Sequence, residues 1–415
     1  MPYPLNLALR MRLGLLALAI PIALFVGDCR IIAQDTTRPE ESIAALTSKA
    51  NAGDPAAQVH LGTRYHDGKG AVKSYSEALK WYIKAAKLGD ATAQLDLGGM
   101  YNKGEGVKAD AEEAAKWFVL AAKQGDKAAA FLLLMMCDEG RASRTSCAFT
   151  VDALTHEAEQ GDVGSQSMLG TWYGEGKGVR KDAALAAQWF RKAATQGDAG
   201  AQAQLALLYY QGNGVAENHE EAAIWADKAA SQGDAVGQFL LGQMCFTGNG
   251  EPKDYTKAAA WFQKSAKQGN ALSESRLGSM YFVGLGVPKN LTEAAGWLRK
   301  AAEQGDSDAQ YYLGRLYEGG KGVPQSYAEA AKWLRMAAEQ WDARAQLDLG
   351  TAYGVGEGVS QDSATAYMWI SLAAMTDEKA KSARDEVAKS LTPAQLARGQ
   401  QLVQAWLAKH PQPEE

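Results

Sequence analysis

Histidine is scarce and dispersed in this sequence. His60, His66, His156, His219 and His410 are the five in 415 residues, and none belongs to an H-E-x-x-H pair. His60 and His66 stand six apart, which is not a same-face helical spacing. Serine elbows and phosphate-binding loops are missing as well, so no catalytic residue, metal or cofactor is expected. Charge of one sign is equally thin on the ground: 43 Lys and Arg oppose 48 Asp and Glu, with a formal net charge of −5 and no block of like charge. Without a basic stripe to meet phosphates, a nucleic-acid partner is disfavoured. Only one long apolar run exists, Leu13 to Gly27, preceded by Arg10 and Arg12 and interrupted by Pro21. It is shorter than the roughly 20 residues of a spanning helix. The pattern suits a signal peptide cleaved after Ala33, which puts the mature start at Gln34 and the protein in the periplasm or outside the cell. The alternative is an uncleaved inner-membrane anchor. Cys29 is a poor site for lipid attachment, because Asp28 directly precedes it.

What fills the chain instead is a period. Asp54, Asp90, Asp126, Asp162, Asp198, Asp234, Asn270, Asp306 and Asp342 follow one another at 36-residue intervals without insertion or deletion, defining nine units. Seven residues after each stands a Leu, followed by Gly in seven of the nine units. A Tyr, a Gly-x-Gly and, in eight units, a Trp come next. Ala57, Leu61 and Tyr65 recur at i, i+4 and i+8, and Ala78, Trp81, Ala85 and Ala86 trace a second stripe, so each unit holds two amphipathic helices. The paired glycines, such as Gly68 and Gly70, end the first helix. The second opens on a capping residue: Ser74, Asp110, Ser146, Asp182, Asn218, Asp254, Asn290, Ser326 or Asp362. Glycine inside a helix costs about 1 kcal/mol against alanine, so the recurring Leu-Gly predicts close approach of a neighbouring helix. A single hairpin has too little apolar surface to stand alone, and neighbours must stack. The fold expected is an all-α superhelical solenoid, with a capping helix at Glu40–Asn51, a polar helix near Asp377–Ser390 and a last helix after Thr392-Pro393.

The unit LGTWYGEGKGVRKDAALAAQWFRKAATQGD, residues 169–198, resembles a Sel-one-like repeat, a relative of the tetratricopeptide repeat, and the likeness extends from residue 54 to about 375. The resemblance implies a right-handed superhelix whose first helices line a concave side. It also implies scaffolding and protein recognition in the bacterial envelope, with a sensor domain or an assembly factor as partner. Cysteine-rich relatives are linked to β-lactam binding or hydrolysis, which makes a hydrolase on a β-lactam or cell-wall substrate the alternative. Those relatives carry a cysteine pair in repeat after repeat, whereas this chain has one. The domains read as 1–33 leader or anchor, 34–53 linker and capping helix, 54–377 nine repeats, and 378–415 capping helices and tail.

By the same likeness, positions two, five, nine and twelve after each unit-opening Asp or Asn face the groove. Tyr210, Phe246 and Phe282 at position twelve, with Phe239 and Tyr311 at position five, then form an aromatic ladder suited to a bound peptide or helix. Inter-repeat packing is the competing role for these rings. Residues 137–147, CDEGRASRTSC, break the pattern: Cys137 takes the place of the Tyr, and Cys147 follows Ser146. In an oxidising compartment the two are placed to staple the third hairpin across its loop, and in a cytoplasm they would be free buried thiols. Cys245 also replaces the Tyr but has no partner in its loop and is expected to be a buried apolar group.

Overall fold

The computed structural model describes residues 42–410, and the apolar run, Cys29 and the last five residues lie outside them. Twenty-one helices account for most of the described chain. After α1 (Ile43–Asn51), the nine periods supply α2 (Pro55–Asp67) and α3 (Tyr75–Lys87), α4 (Ala91–Lys103) and α5 (Ala111–Lys123), α6 (Lys127–Asp138) and α7 (Arg144–Glu159), then α8 (Val163–Glu175) and α9 (Ala183–Thr195). They continue with α10 (Ala199–Gln211) and α11 (His219–Ser231), α12 (Ala235–Thr247) and α13 (Tyr255–Ala266), then α14 (Ala271–Val283) and α15 (Leu291–Glu303). The last are α16 (Ser307–Gly319) and α17 (Tyr327–Glu339), α18 (Ala343–Val355) and α19 (Ser363–Ala373), followed by α20 (Glu378–Ser390) and α21 (Pro393–Lys409). The chain divides after Glu217 into two compact units.

Helix boundaries follow side-chain chemistry closely. Asp90 accepts from the Ala93 N–H at 2.8 Å and opens α4, while Gly104, at φ 76°, ends it with its N–H on the Met100 carbonyl. That left-handed turn needs a residue without Cβ. The chain then folds back on itself, and the N–H of the next N-cap, Asp110, donates to the Tyr101 carbonyl at 2.9 Å. The same link joins Ser74 to Tyr65, Asp182 to Tyr173 and Asp254 to Cys245, each at 2.8 Å. It fixes the two helices of a hairpin at one register. The second loop glycine answers a different demand: at Gly214, φ 74°, a Cβ would lie 2.1 Å from the Ala183 carbonyl oxygen of the preceding repeat.

Packing explains the Leu-Gly pair. A Cβ on Gly98 would lie 2.6 Å from the Phe118 ring, and one on Gly242 would lie 2.7 Å from Phe262. Gly62, Gly170, Gly278, Gly314 and Gly350 meet Tyr82, Phe190, Leu298, Leu334 and Ile370 in the same way. The large side chain of the second helix thus rests on the bare backbone of the first, and each such burial is worth about 1.5–3 kcal/mol. The recurring Trp lies one residue earlier, buried or half-buried, and in several repeats the lysine three residues on covers its ring: Lys192 Nζ sits 3.8 Å from the Trp189 ring centre, and Lys264 sits 3.9 Å from Trp261.

A polar thread runs through these cores. Gln94 is buried, donates to the Ala86 carbonyl of the previous repeat at 3.1 Å, and accepts from Gln124 at 2.8 Å. Gln166 repeats this with Ala158 and Gln196, and Gln310 with Ala302 and Gln340. Each amide adds a second donor to a helix-end carbonyl that already accepts from the N–H of the boundary glycine, and so ties one repeat to the next. Glu274 holds this place in the seventh repeat, 3% exposed and hydrogen-bonded by Gln304 at 2.7 Å. Burial pushes its carboxyl above the ordinary range, against the opposing pull of Lys300 and Gln304.

The C-terminal end is closed by aromatic packing. Trp341 replaces the glycine of the repeat boundary yet keeps a left-handed φ of 67°. Its ring meets Trp406 of α21 edge-on at 4.7 Å, and Trp406 also meets Trp369 at 5.9 Å. Such a backbone conformation is strained for a non-glycine residue, and the cap contact holds it in place. Thr392 and Gln395 open α21 with a reciprocal capping box.

Two outcomes are expected. Gly98→Ala should lower stability by about 1–3 kcal/mol through overpacking against Phe118. Gly99→Ala, next to it, should raise stability by up to about 1 kcal/mol, because a Cβ there meets nothing within 4 Å. Thermal melts of the two variants check the contrast. Glu274 contributes most to stability when protonated, below its unfolded value, and loses that contribution as pH rises through its elevated folded value. Glu274→Gln should therefore stabilise the protein at neutral pH and flatten this dependence, as read from denaturant midpoints between pH 4 and 8.

Candidate partner-binding face

The first helices turn one face outward, and that face is made by positions two, six and nine with part of five and twelve. Position five is more deeply placed than the sequence suggests, because it packs between successive first helices. Phe239 is the clearest case: only 2% exposed, with its ring 5.9 Å from Phe262, it is a core residue and does not line the groove. Phe246 is half-buried, edge-on to Tyr255 at 5.3 Å. Phe282 is half-buried against Tyr312, 5.4 Å away in the next repeat. Tyr311 lies against Tyr312 at 5.3 Å, and the Arg344 guanidinium covers it at 4.4 Å from the ring centre. Tyr210 is half-buried in the other unit, on α10. The sequence reading missed Tyr312, at position six, which joins Phe282 to Tyr311. Its signal was available in the spacing, since position six is one helical turn from positions two and nine.

Charge on this face is concentrated near the C-terminal end. Arg344 bonds Asp308 and Asp342, both at 2.5 Å. Arg315 reaches Asp348 at 2.9 Å and Glu318 at 3.0 Å. Burial of Asp348 pushes its carboxyl upward, with Arg315 pulling the other way. At the opposite end, His66 lies between Asp67 at 2.9 Å and Glu105 at 3.0 Å. Partial burial disfavours its charged form, but the hydrogen bonds to Asp67 and Glu105 outweigh that and raise its pKa. Among the described residues no group of three or more His, Cys, Asp or Glu is arranged to hold a metal ion.

The third repeat is built differently. Cys137 and Cys147 form a disulfide, with Cα atoms 5.7 Å apart and both residues fully buried. The N-cap of α7 is Ser143 rather than Ser146, so the second helix begins three residues earlier and Cys147 lies in its first turn. The reason is a neighbour: Glu112 of the second repeat accepts from the Ser143 N–H and hydroxyl, both at 2.8 Å, and from the Ser146 hydroxyl at 2.6 Å. These three bonds hold its carboxylate below the usual range, although burial opposes them. In most other hairpins the N-cap N–H goes to the carbonyl of the Tyr, or of Cys245 in the sixth repeat; here that N–H is used by Glu112, and the disulfide ties the helices instead. It also offsets poor packing, since α6 and α7 touch far less than the helices of the adjacent hairpins. Leu134, Ala142 and Ala153 stand where other repeats have glycine, glycine and tryptophan. Trp172 of the fourth repeat fills part of the gap, fully buried, with Nε1 donating to Asp138 at 3.0 Å. A Cβ on Gly178 would meet both Cys147 and Trp172 within 3.4 Å, so the joint between repeats three and four closes on the disulfide. Cys245 is a free, buried thiol in the sixth repeat.

Tandem helical hairpins of constant period, stacked through a glycine–aromatic contact and an amide thread, define a repeat protein. The Sel1 repeat pattern matches residues 55–90, 91–126, 163–198, 199–234, 235–270, 271–306, 307–340 and 343–375, and the chain belongs to the Sel1 repeat family. The period from 127 to 162, which carries the disulfide, is a helical hairpin outside that match. Among solved structures, the chain is similar to a protective antigen present in uropathogenic Escherichia coli strains that displays an SLR fold. The two are 32% identical over 89% of this chain and 95% of that one, with a TM-score of 0.48. A Sel1 repeat protein from Oxalobacter formigenes is 31% identical over 83% and 90%, with a TM-score of 0.47. An immunity protein from Pseudomonas aeruginosa is 21% identical over 60% and 89%, with a TM-score of 0.33. No curated protein matches.

Replacing Cys137 and Cys147 together by alanine should cost about 2–3 kcal/mol, as expected for a closed loop of this length. The wild-type midpoint in urea should fall on adding reductant to near that of the variant, while the variant should not respond.

Proposed function

We propose that the protein is a noncatalytic interaction scaffold or regulator of the bacterial cell envelope, whose first-helix face binds a protein partner such as a sensor domain or an envelope assembly factor. The observation that carries this reading is the run of half-buried aromatic residues on the first helices, Phe246 and Phe282 on successive repeats and Tyr210 on α10. Each gives a partner a large rigid surface at low entropic cost. The repeats span 54–377 in this reading, with capping elements at 34–53 and 378–415 and a leader or anchor at 1–33. Export follows from the leader's pattern and agrees with the disulfide of the third hairpin, which persists in oxidising compartments. No helix among the described residues is long and apolar enough to cross a membrane.

Photocrosslinking side chains introduced at Tyr210, Phe246 and Phe282 in cells should each capture a defined partner, and a joint Tyr210→Ala, Phe246→Ala, Phe282→Ala variant should lose it. Retention of every specific partner by the triple variant would refute the assignment of the face. A compartment-sensitive reporter fused after Glu415 checks the location independently, with activity on the cytoplasmic side contradicting export.

A further inference from the structure

Seven of the nine repeats have a tyrosine eleven residues after the unit-opening Asp or Asn. In repeats eight and nine its hydroxyl is met by an arginine from the second helix of the preceding repeat: Arg299 donates to Tyr317 Oη at 2.7 Å, and Arg335 to Tyr353 Oη at 2.6 Å. Val323 and Trp333 share a core with Tyr317, and Val359 and Trp369 share one with Tyr353. In the sixth repeat Cys245 replaces the tyrosine, Asp227 the arginine and Glu251 the valine, while Trp261 keeps its place. A thiol is much smaller than a phenol ring, and a cavity of about 400 Å³ opens here between α11, α12 and α13. Its lining includes Asp227, Cys245, Glu251 and Trp261, with Lys257 and Lys264 beside them. All of these residues belong to the compact unit that begins at Asn218.

The lining decides the kind of molecule that fits. Its floor is apolar: Leu241 is 3% and Cys245 2% exposed. Burial pushes the Cys245 thiol up, and Glu251 adds to that while Lys257 opposes it, so the thiol stays protonated and acts as a wall, not a nucleophile. Trp261 is half-buried and adds an aromatic wall, with Lys264 Nζ 3.9 Å from its ring centre. A flat ring packs well against such a side chain. The volume lies near the lower end of the about 300–1,000 Å³ of small-molecule sites, which suits a single small molecule better than a peptide. Asp227 and Glu251 accept hydrogen bonds only, whereas Lys257 and Lys264 donate only. A purely cationic ligand would be repelled by the two lysines, and a purely anionic one by the two carboxylates. A molecule carrying one charge of each sign is matched by both pairs.

We propose that this cavity binds a free aromatic amino acid. The ring takes the place of the phenol that other repeats supply themselves, the α-ammonium turns to Asp227 and Glu251, and the α-carboxylate turns to Lys257 and Lys264. The third repeat, the other one without the tyrosine, is not equivalent: Cys137 is bonded to Cys147, and Ala153 stands where the tryptophan would be. Because the charged lining comes from the second helices and a loop, the site is separate from the first-helix face and does not rest on the reading of that face.

Isothermal titration calorimetry of the full chain with L-phenylalanine tests this, beside phenethylamine, 3-phenylpropionate and L-alanine, which lack the carboxylate, the ammonium and the ring respectively. Phenylalanine should bind, and each of the other three should bind about tenfold more weakly or not at all, as the loss of a charged hydrogen bond or of the buried ring requires. Cys245→Tyr, which restores the residue of the other repeats, should abolish binding without lowering the melting temperature. Asp227→Asn, at an exposed position where folding is not at risk, should weaken binding about tenfold. Phe282→Ala, on the first-helix face, should leave affinity unchanged. No binding of phenylalanine, affinity indifferent to Cys245→Tyr and Asp227→Asn, or equal affinity for any of the three truncated compounds would overturn the proposal. Loss of binding on Phe282→Ala would place the ligand on the first-helix face and would overturn it too.

Discussion

Seven of the nine hairpins close where a large side chain of the second helix lies on a bare Cα of the first. Gly98 against Phe118 and Gly242 against Phe262 set the distance between the two helices, and with it the span of each hairpin. The 36-residue period tolerates no insertion because several contacts are tied to it at once. The loop must return the next N-cap to the Tyr carbonyl, and the second loop glycine must clear the preceding repeat. The buried glutamine must reach a carbonyl eight residues back. One residue more in any loop would displace all three.

The third repeat shows what happens when that contact is given up. Leu134 takes the place of the glycine, and the hairpin is held by a covalent bond, by Glu112 from one side and by Trp172 from the other. The outer side of α6 becomes unusually apolar in the same repeat. Divergence in the core and divergence on the surface thus coincide in one segment, the one that the family pattern does not match. A repeat freed from the common packing rule by a disulfide can carry side chains that the rule would otherwise restrict.

Much of this was legible in the sequence. The period, the helix pairs, nearly every cap and the stapled loop all follow from residue types at fixed offsets, since caps and left-handed turns are local demands that a few side chains satisfy. The amide thread was written there too, as a Gln four residues after nearly every unit-opening Asp, but its meaning depends on a carbonyl of the neighbouring repeat. Ser146 was misplaced as a cap because the competing influence, Glu112, comes from another repeat. Phe239 was misassigned because a helical wheel gives direction but not depth: position five points along the groove side yet lies between adjacent helices.

The sequence alone determined the architecture of this protein, because a repeat needs only nearest neighbours and those neighbours are near-copies of itself. Tertiary structure decided which outward residues are available. Phe239 is covered by packing, Tyr311 by Arg344, and Phe131 by nothing in its own repeat, differences set by the particular side chains next door rather than by the period. Exposure is a property of the assembled stack. A pattern that is the same in every unit cannot specify it.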